Sequence, residues 1–277
     1  MSRAAALLAL AALTIPAVAL RAQDSDEEWL QECRDRDNDW SSRARHCEIR
    51  ETGLKATRRT LTVEPGPNGG IEILAWERDS IAVTARIQTH ARSDEDAIAI
   101  AREIKIVAAG ARVEASGPSS LGRREGWSVS FVVYVPRRTD LSLATENGPL
   151  SVHEVSGTMD LSTENGPLAI SGVSGDVHAR AQNGPLVVRL TGARWEGAGL
   201  DAATTNGPAD LQIPEGYNAQ IEFGTVNGPM SVGFPLTVTL SGRITDRIAT
   251  KLGDGGPPVR VVTTNGPMTV RRRQRSL

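Results

Sequence analysis

The tripeptide Asn-Gly-Pro occurs six times in this chain of 277 residues, beginning at Asn147, Asn165, Asn183, Asn206, Asn227 and Asn265. Successive copies lie 18, 18, 23, 21 and 38 residues apart. Such recurrence means that one supersecondary unit is laid down repeatedly. A unit this short cannot bury its own apolar face, so neighbouring units must stack and share one continuous core.

Three copies align without gaps, from Leu141 to Val152, Met159 to Ile170 and Val177 to Val188. At that step Leu141 maps onto Met159 and Val177, Leu143 onto Leu161 and Ala179, and Thr145 onto Thr163 and Ala181. Beyond the tripeptide Leu150 maps onto Leu168 and Leu186, and Val152 onto Ile170 and Val188. Apolar residues alternate with Ser, Ala and Glu, which is the two-residue period of a half-buried strand. Hairpins in a sandwich and coils of a parallel β-solenoid both satisfy that period. Because mapped residues are chemically alike, stacking like on like favours the solenoid, with coils ~4.8 Å apart.

The tripeptide reads as the corner of each coil. Asn147 shares the parity of Leu141, Leu143 and Thr145, so the Asn side chains are expected to point inward and bond along a ladder. Gly148 is expected to supply a positive φ, and Pro149 to interrupt the strand where an N–H is not needed. The later coils are Ala202 to Ile213, Ile221 to Val232 and Val259 to Val270, taken in chain order. Extra residues at Thr191 to Gly199 and Phe234 to Pro258 are expected as bulging loops.

Residues 1–22 read as a signal peptide: Arg3, an apolar stretch from Ala4 to Leu20, then Ala22 before Gln23. No later stretch is long and apolar enough to span a bilayer, so the mature chain is expected to have no membrane span. Without Arg3 and Arg21 the net charge is about −4, which gives no nucleic-acid signature. The only cysteines, Cys33 and Cys47, are expected to form a disulfide in an exported chain. The expected localisation is periplasmic or extracellular.

Residues 23–59 form a charged N-terminal cap with Trp29, Trp40 and a short helix over Asp26 to Asp35. The repeat domain is assigned to residues 60–271. Its early strands are expected at Thr60 to Val63, Gly70 to Trp76, Ser80 to Thr89, Lys105 to Ala115 and Trp127 to Val135. One helix is expected over Ser93 to Ile104, with Ser93 as N-cap, acids in its first turn and Ala97, Ile98, Ala101 and Ile104 as its apolar face. Residues 272–277 form a basic tail. It reads as protection for the last coil edge in preference to a contact with anionic lipid or glycan.

The run Val133-Tyr134-Val135-Pro136, the Thr-Glu-Asn-Gly-Pro-Leu repeats, Leu252-Gly253-Asp254-Gly255-Gly256 and the closing Thr263-Thr264-Asn265-Gly266 resemble the bacterial "putative adhesin" family. That family is a β-strand-repeat domain of unknown function, also called the toastrack domain. Cys47-Glu48-Ile49-Arg50-Glu51 and Pro67-Asn68-Gly69-Gly70 resemble its exported members. The likeness runs from Thr60 to Arg271. It implies a solenoid-like domain of envelope or secreted proteins, some of whose relatives accompany envelope-stress membrane proteins. It carries over no catalytic residue. Members often have Asp after Asn-Gly, where every copy here has Pro.

No nucleophile elbow, zinc-protease motif or phosphate loop occurs. Glu146, Glu164, Asp160 and Asp176 read as solvated carboxylates rather than a cation site. Trp76, Trp127 and Phe131 read as core. The expectation is therefore a non-enzymatic exported protein with no cofactor, adhesin-like or a scaffold, whose partner is an envelope protein or surface glycan. The alternatives are a carbohydrate-active enzyme on a β-helix, by fold analogy alone, and a sensor module of an envelope-stress system. The sequence sets no oligomeric state.

Overall fold

The computed structural model describes residues 17–35, 44–235 and 247–273, with the backbone alone for 17–24. The first part of the expected leader, Trp40 and Arg275 lie outside the described residues. The chain opens with α1 (Ala17–Asp35), β1 (Ala44–Lys55), β2 (Leu61–Glu64), β3 (Ile71–Trp76), β4 (Ser80–Ala91), α2 (Asp94–Glu103), β5 (Lys105–Ala109), β6 (Arg112–Ser116) and β7 (Gly126–Pro136). The repeats follow as strand pairs: β8 (Leu141–Asn147) and β9 (Leu150–His153), β10 (Ser156–Asn165) and β11 (Leu168–Ser171), β12 (Ser174–Asn183) and β13 (Leu186–Arg189). Next come β14 (Gly199–Asn206) and β15 (Ala209–Pro214), β16 (Ala219–Asn227) and β17 (Met230–Val232), then β18 (Arg247–Leu252), β19 (Pro258–Asn265) and β20 (Met268–Arg273).

These strands make two ten-stranded mixed sheets. The first runs β1-β4-β7-β3-β9-β11-β13-β15-β20-β17, the second β18-β16-β19-β14-β12-β10-β8-β2-β6-β5. Each corner carries the chain from the second sheet into the first. Within the repeats the pairing is parallel and the step of 18 is kept: Leu141, Met159 and Val177 are neighbours, as are Leu150, Leu168 and Leu186. The alternating apolar residues fill the space between the sheets, and Leu143, Leu161, Leu168 and Val177 are fully buried. Antiparallel pairs occur at β1–β4, β4–β7, β5–β6 and β16–β18.

Several expectations change. The last two repeats do not pair in chain order. β19 lies between β14 and β16, and β20 between β15 and β17, so the corner of Asn265 sits between those of Asn206 and Asn227. The long connection after Phe234 makes this order reachable, because it returns through β18 along β16 before β19 enters. The stretch 105–115 is a hairpin turned at Gly110, whose φ is 62°. The segment assigned to the cap contributes β1 to the first sheet, where it pairs with β4. The helix expected over Asp26 to Asp35 reaches back to Ala17.

The helix α2 is capped by Ser93, whose hydroxyl accepts the Asp96 N–H at 3.2 Å. Its buried face is Ala97, Ile100 and Ala101, with Ile98 less covered than Ile100. Trp127 and Phe131 are core residues, whereas Trp76 lies half-buried against Tyr134 with Arg78 over its ring. The loop at 191–199 does not simply bulge. Trp195 turns into the core, and its indole N–H donates to the Gly175 carbonyl at 3.0 Å. The tail assigned to 272–277 begins inside β20, which runs to Arg273.

Candidate functional site

The six corners form one column on the edge where the two sheets meet. Their carboxamides bond head to tail in a single direction. Asn165 donates to Asn147 at 3.0 Å, Asn183 to Asn165 and Asn206 to Asn183 at 2.9 Å, and Asn265 to Asn206 and Asn227 to Asn265 at 2.8 Å. Asn147 in turn donates to the Pro67 carbonyl at 2.8 Å and reaches Asn68 at 3.5 Å. Asn68 thus extends the column by one member. Its signal was legible as Asn68-Gly69, without the proline.

The Asn side chains do not point inward. All six are exposed, and the last inward side chain of each strand lies two residues earlier, a threonine in five repeats and Ala181 in the third. The two-residue alternation stops at the threonine, and Glu146 and Asn147 after it are both exposed. A hydroxyl also buries at less cost than a carboxamide, which would need up to four partners. Gly148 was expected to supply a positive φ, yet it does not, and neither do Gly166, Gly184, Gly207 and Gly228, whereas Gly266 does at 153°. They are required by close approach instead. A Cβ at Gly148 would stand 2.2 Å from the Gly69 carbonyl oxygen, and one at Gly184 would stand 2.0 Å from that of Gly166.

A compensation runs through the column. Gly148 N–H donates to Asn165 O at 3.1 Å and Leu150 N–H to Pro167 O at 2.9 Å. A regular parallel ladder would next ask residue 167 to donate to Gly148 O. Pro167 has no N–H. The Thr163 hydroxyl donates to Gly148 O in its place at 3.3 Å. Thr145, Thr204, Thr263 and Thr225 do the same for Gly69, Gly184, Gly207 and Gly266, at 2.7, 2.8, 2.8 and 2.8 Å. Ala181 has no hydroxyl to offer the Gly166 carbonyl.

Beside the column lies the outer face of the second sheet. Glu222, Arg260, Asp201, His178, Asp160 and Ser142 stand in one row across it. Arg260 bonds Asp201 at 2.6 Å and Glu222 at 3.2 Å, and Arg180 pairs with Asp201 from the next row. Burial pushes the Asp201 carboxyl up, but the hydrogen bonds and charges of Arg180 and Arg260 outweigh it and hold the group below the usual carboxylate range. This face has two shallow cavities. One of about 360 Å³ includes Gln220, Ala249, Lys251, Pro258 and Arg260, and the other of about 310 Å³ includes Glu64, Pro67, Glu146, Ser162 and Glu164.

Glu146 and Glu164 are neighbours on exposed positions, whereas Asp160 and Asp176 lie on other rows. Among the described residues no group of three His, Cys, Asp or Glu side chains is placed to hold a metal ion. Cys33 and Cys47 are joined by a disulfide that ties α1 to β1. Also on α1, buried Asp26 forms an ion pair with half-buried Arg86 of β4 at 2.6 Å, a contact that no sequence pattern announced. At the other end Arg271 forks onto Asp210 at 2.6 and 3.2 Å, and Arg272 lies 4.9 Å from the Phe234 ring.

No family model and no curated protein matches this chain. Solved structures do resemble it. A "putative cell adhesion protein" from Clostridium sporogenes is 11% identical, with a TM-score of 0.41, over 82% of this chain and 100% of that one. A "putative adhesin" from Bacteroides fragilis is 11% identical with a TM-score of 0.36, over 82% of this chain and 97% of that one. A "Putative lipid binding protein" from Parabacteroides distasonis is 10% identical with a TM-score of 0.27, over 82% and 97%.

Proposed function

We propose that this chain is a non-enzymatic, exported β-repeat protein that serves the bacterial cell envelope as an adhesin-like or scaffold module. In this reading the two sheets are the walls of a parallel β-solenoid and residues 1–22 are a leader removed on export. The disulfide ties the N-terminal cap to the frame in an oxidising compartment. The observation that carries the proposal is the surface of the repeats. Asn147, Asn165, Asn183, Asn206, Asn265 and Asn227 stand exposed at one spacing on a rigid edge. The carboxylates beside them are either tied to arginine, as Asp201 is, or open to solvent, as Glu146 and Glu164 are. A glycosidase or lyase needs an acid and a base facing each other in a site that shifts one of their pKa values.

The partner in this reading is an envelope protein or surface glycan. The purified exported chain, labelled and mixed with bacterial envelope fractions, is expected to be retained saturably. A panel of polysaccharides is expected to yield no reducing ends or unsaturated products. Absence of retention would sink the module reading. Turnover lost in Glu146→Gln or Glu164→Gln would overturn the non-enzyme reading.

A further inference from the structure

We propose that Asn227 is a site of spontaneous deamidation, singled out from five corners of identical tripeptide sequence by its place at the open end of the stack. Asparagine before glycine is chemically prone to this reaction. The Gly nitrogen gives up its proton and bonds to the Asn Cγ. The Cγ–Nδ2 bond breaks, and Nδ2 leaves as ammonia carrying a proton. Water then opens the resulting succinimide at either carbonyl, giving aspartate or isoaspartate. Attack requires the glycine peptide plane to swing out of its ladder position.

Five corners resist that swing. The N–H groups of Gly148, Gly166, Gly184, Gly207 and Gly266 each donate to the Asn carbonyl of the neighbouring coil, at 3.1, 3.1, 2.9, 2.9 and 3.0 Å. Gly228 has no such bond among the described residues, because the coil of β16 and β17 has no further repeat beyond it. β18 covers β16 only from Ala219 to Gly224. The side chain is also less restrained. Asn227 donates to Asn265, but no carboxamide of a further coil donates to its own oxygen among the described residues. Exposure agrees, since Gly228 is exposed where the other five corner glycines are half-buried, and Val226 is 47% exposed. The same tripeptide therefore sits in five protected settings and one open one.

The product would loosen the end coil. Aspartate at 227 cannot donate to the Asn265 oxygen, a bond of 2.8 Å in the intact chain. Isoaspartate would add a backbone methylene and displace the Asn227 carbonyl from the Gly266 N–H, now at 3.0 Å. The reaction acts as a slow, one-way release of the stack's open edge.

The chain supplies its own controls. The purified protein is aged in mildly alkaline buffer, and the one-dalton mass gain at each corner is followed by peptide mapping. An aliquot unfolded in denaturant gives the intrinsic rate of each corner, for normalisation. Asn227 is expected to convert about tenfold faster than Asn165 and Asn183 in the folded protein after that normalisation, as protection by ladder bonds requires. Equal normalised rates at the six corners, or faster conversion at an interior corner, would overturn the proposal. Asn227→Asp supplies the second readout. Amide exchange at residues 225–232 is expected to speed up in this variant while that of β10 and β12 is unchanged, and no change at 225–232 would refute the predicted loosening.

Discussion

Each Asn-Gly-Pro corner deletes one backbone donor, and five of the six bring a threonine hydroxyl to the acceptor left behind. Proline removes the N–H that the ladder would use, and the threonine four residues earlier turns its hydroxyl to the neighbouring glycine carbonyl. The exception predicts its own repair. Ala181 stands between Thr163 and Thr204 in the same row, so its site already has the backbone geometry that accepts threonine. Ala181→Thr is expected to raise stability by ~1 kcal/mol, the net worth of one hydrogen bond, read as a higher denaturant midpoint at unchanged slope. A lower midpoint would mean that the added atoms crowd the core. The opposite corner has its own misfit. Glu154 has φ of 59°, where the equivalent residue one repeat on is Gly172 with φ of 65°. Glu154→Gly is expected to gain ~1 kcal/mol by relieving the left-handed strain, set against an exposed ion pair with Arg137 that is worth little. The threonines were legible as a column; their task was not, because it depends on which carbonyl of a different repeat faces each hydroxyl.

Strands assign readily from alternation, and apart from the stretch 105–115 the early strands fall where the pattern places them, as do those of the repeats. What alternation does not disclose is the edge. β1 has no clean two-residue period, with charges along its length, and is placed by its twelve-residue pairing with β4. The hairpin of β5 and β6 was hidden because alternation continues on both sides of Gly110. Across the second sheet, charge is arranged by register rather than by sequence: Asp201 meets Arg180 at 21 residues' separation and Arg260 at 59. Its lowered pKa has a defined sign. A carboxyl held below its unfolded value stabilises the fold above the unfolded pKa, and that contribution is lost as pH falls through the folded pKa. Asp201→Asn is therefore expected to be less stable than the parent at neutral pH, with the difference shrinking through the acid range. A difference independent of pH would show that the loss is steric.

At the scale of the whole molecule, the repeats and the N-terminal cap are held by different forces. The repeats share one buried core, whereas α1 is held to the first sheet by the disulfide, the Asp26–Arg86 pair and the contact of Arg86 with Trp29. Reducing Cys33–Cys47 is expected to release α1 and leave β8 to β15 protected from amide exchange. Intact mass with alkylation would show one bond opened. Simultaneous loss of protection in the repeats would show that the cap and the stack unfold as one unit. The unit of the stack, its strands, its inward residues and its corners follow from the local pattern of this chain, because a half-buried strand has only one period and a step of 18 leaves little freedom of register. The order in which the repeats pair does not follow, nor does the outward turn of the asparagines, nor the pairing of Asp26 with Arg86. Each of these depends on which distant segment fills the neighbouring place. Repeats with nearly identical inner faces exchange places at little cost in local energy, so the choice falls to the long connection through β18 and to the packing of the whole.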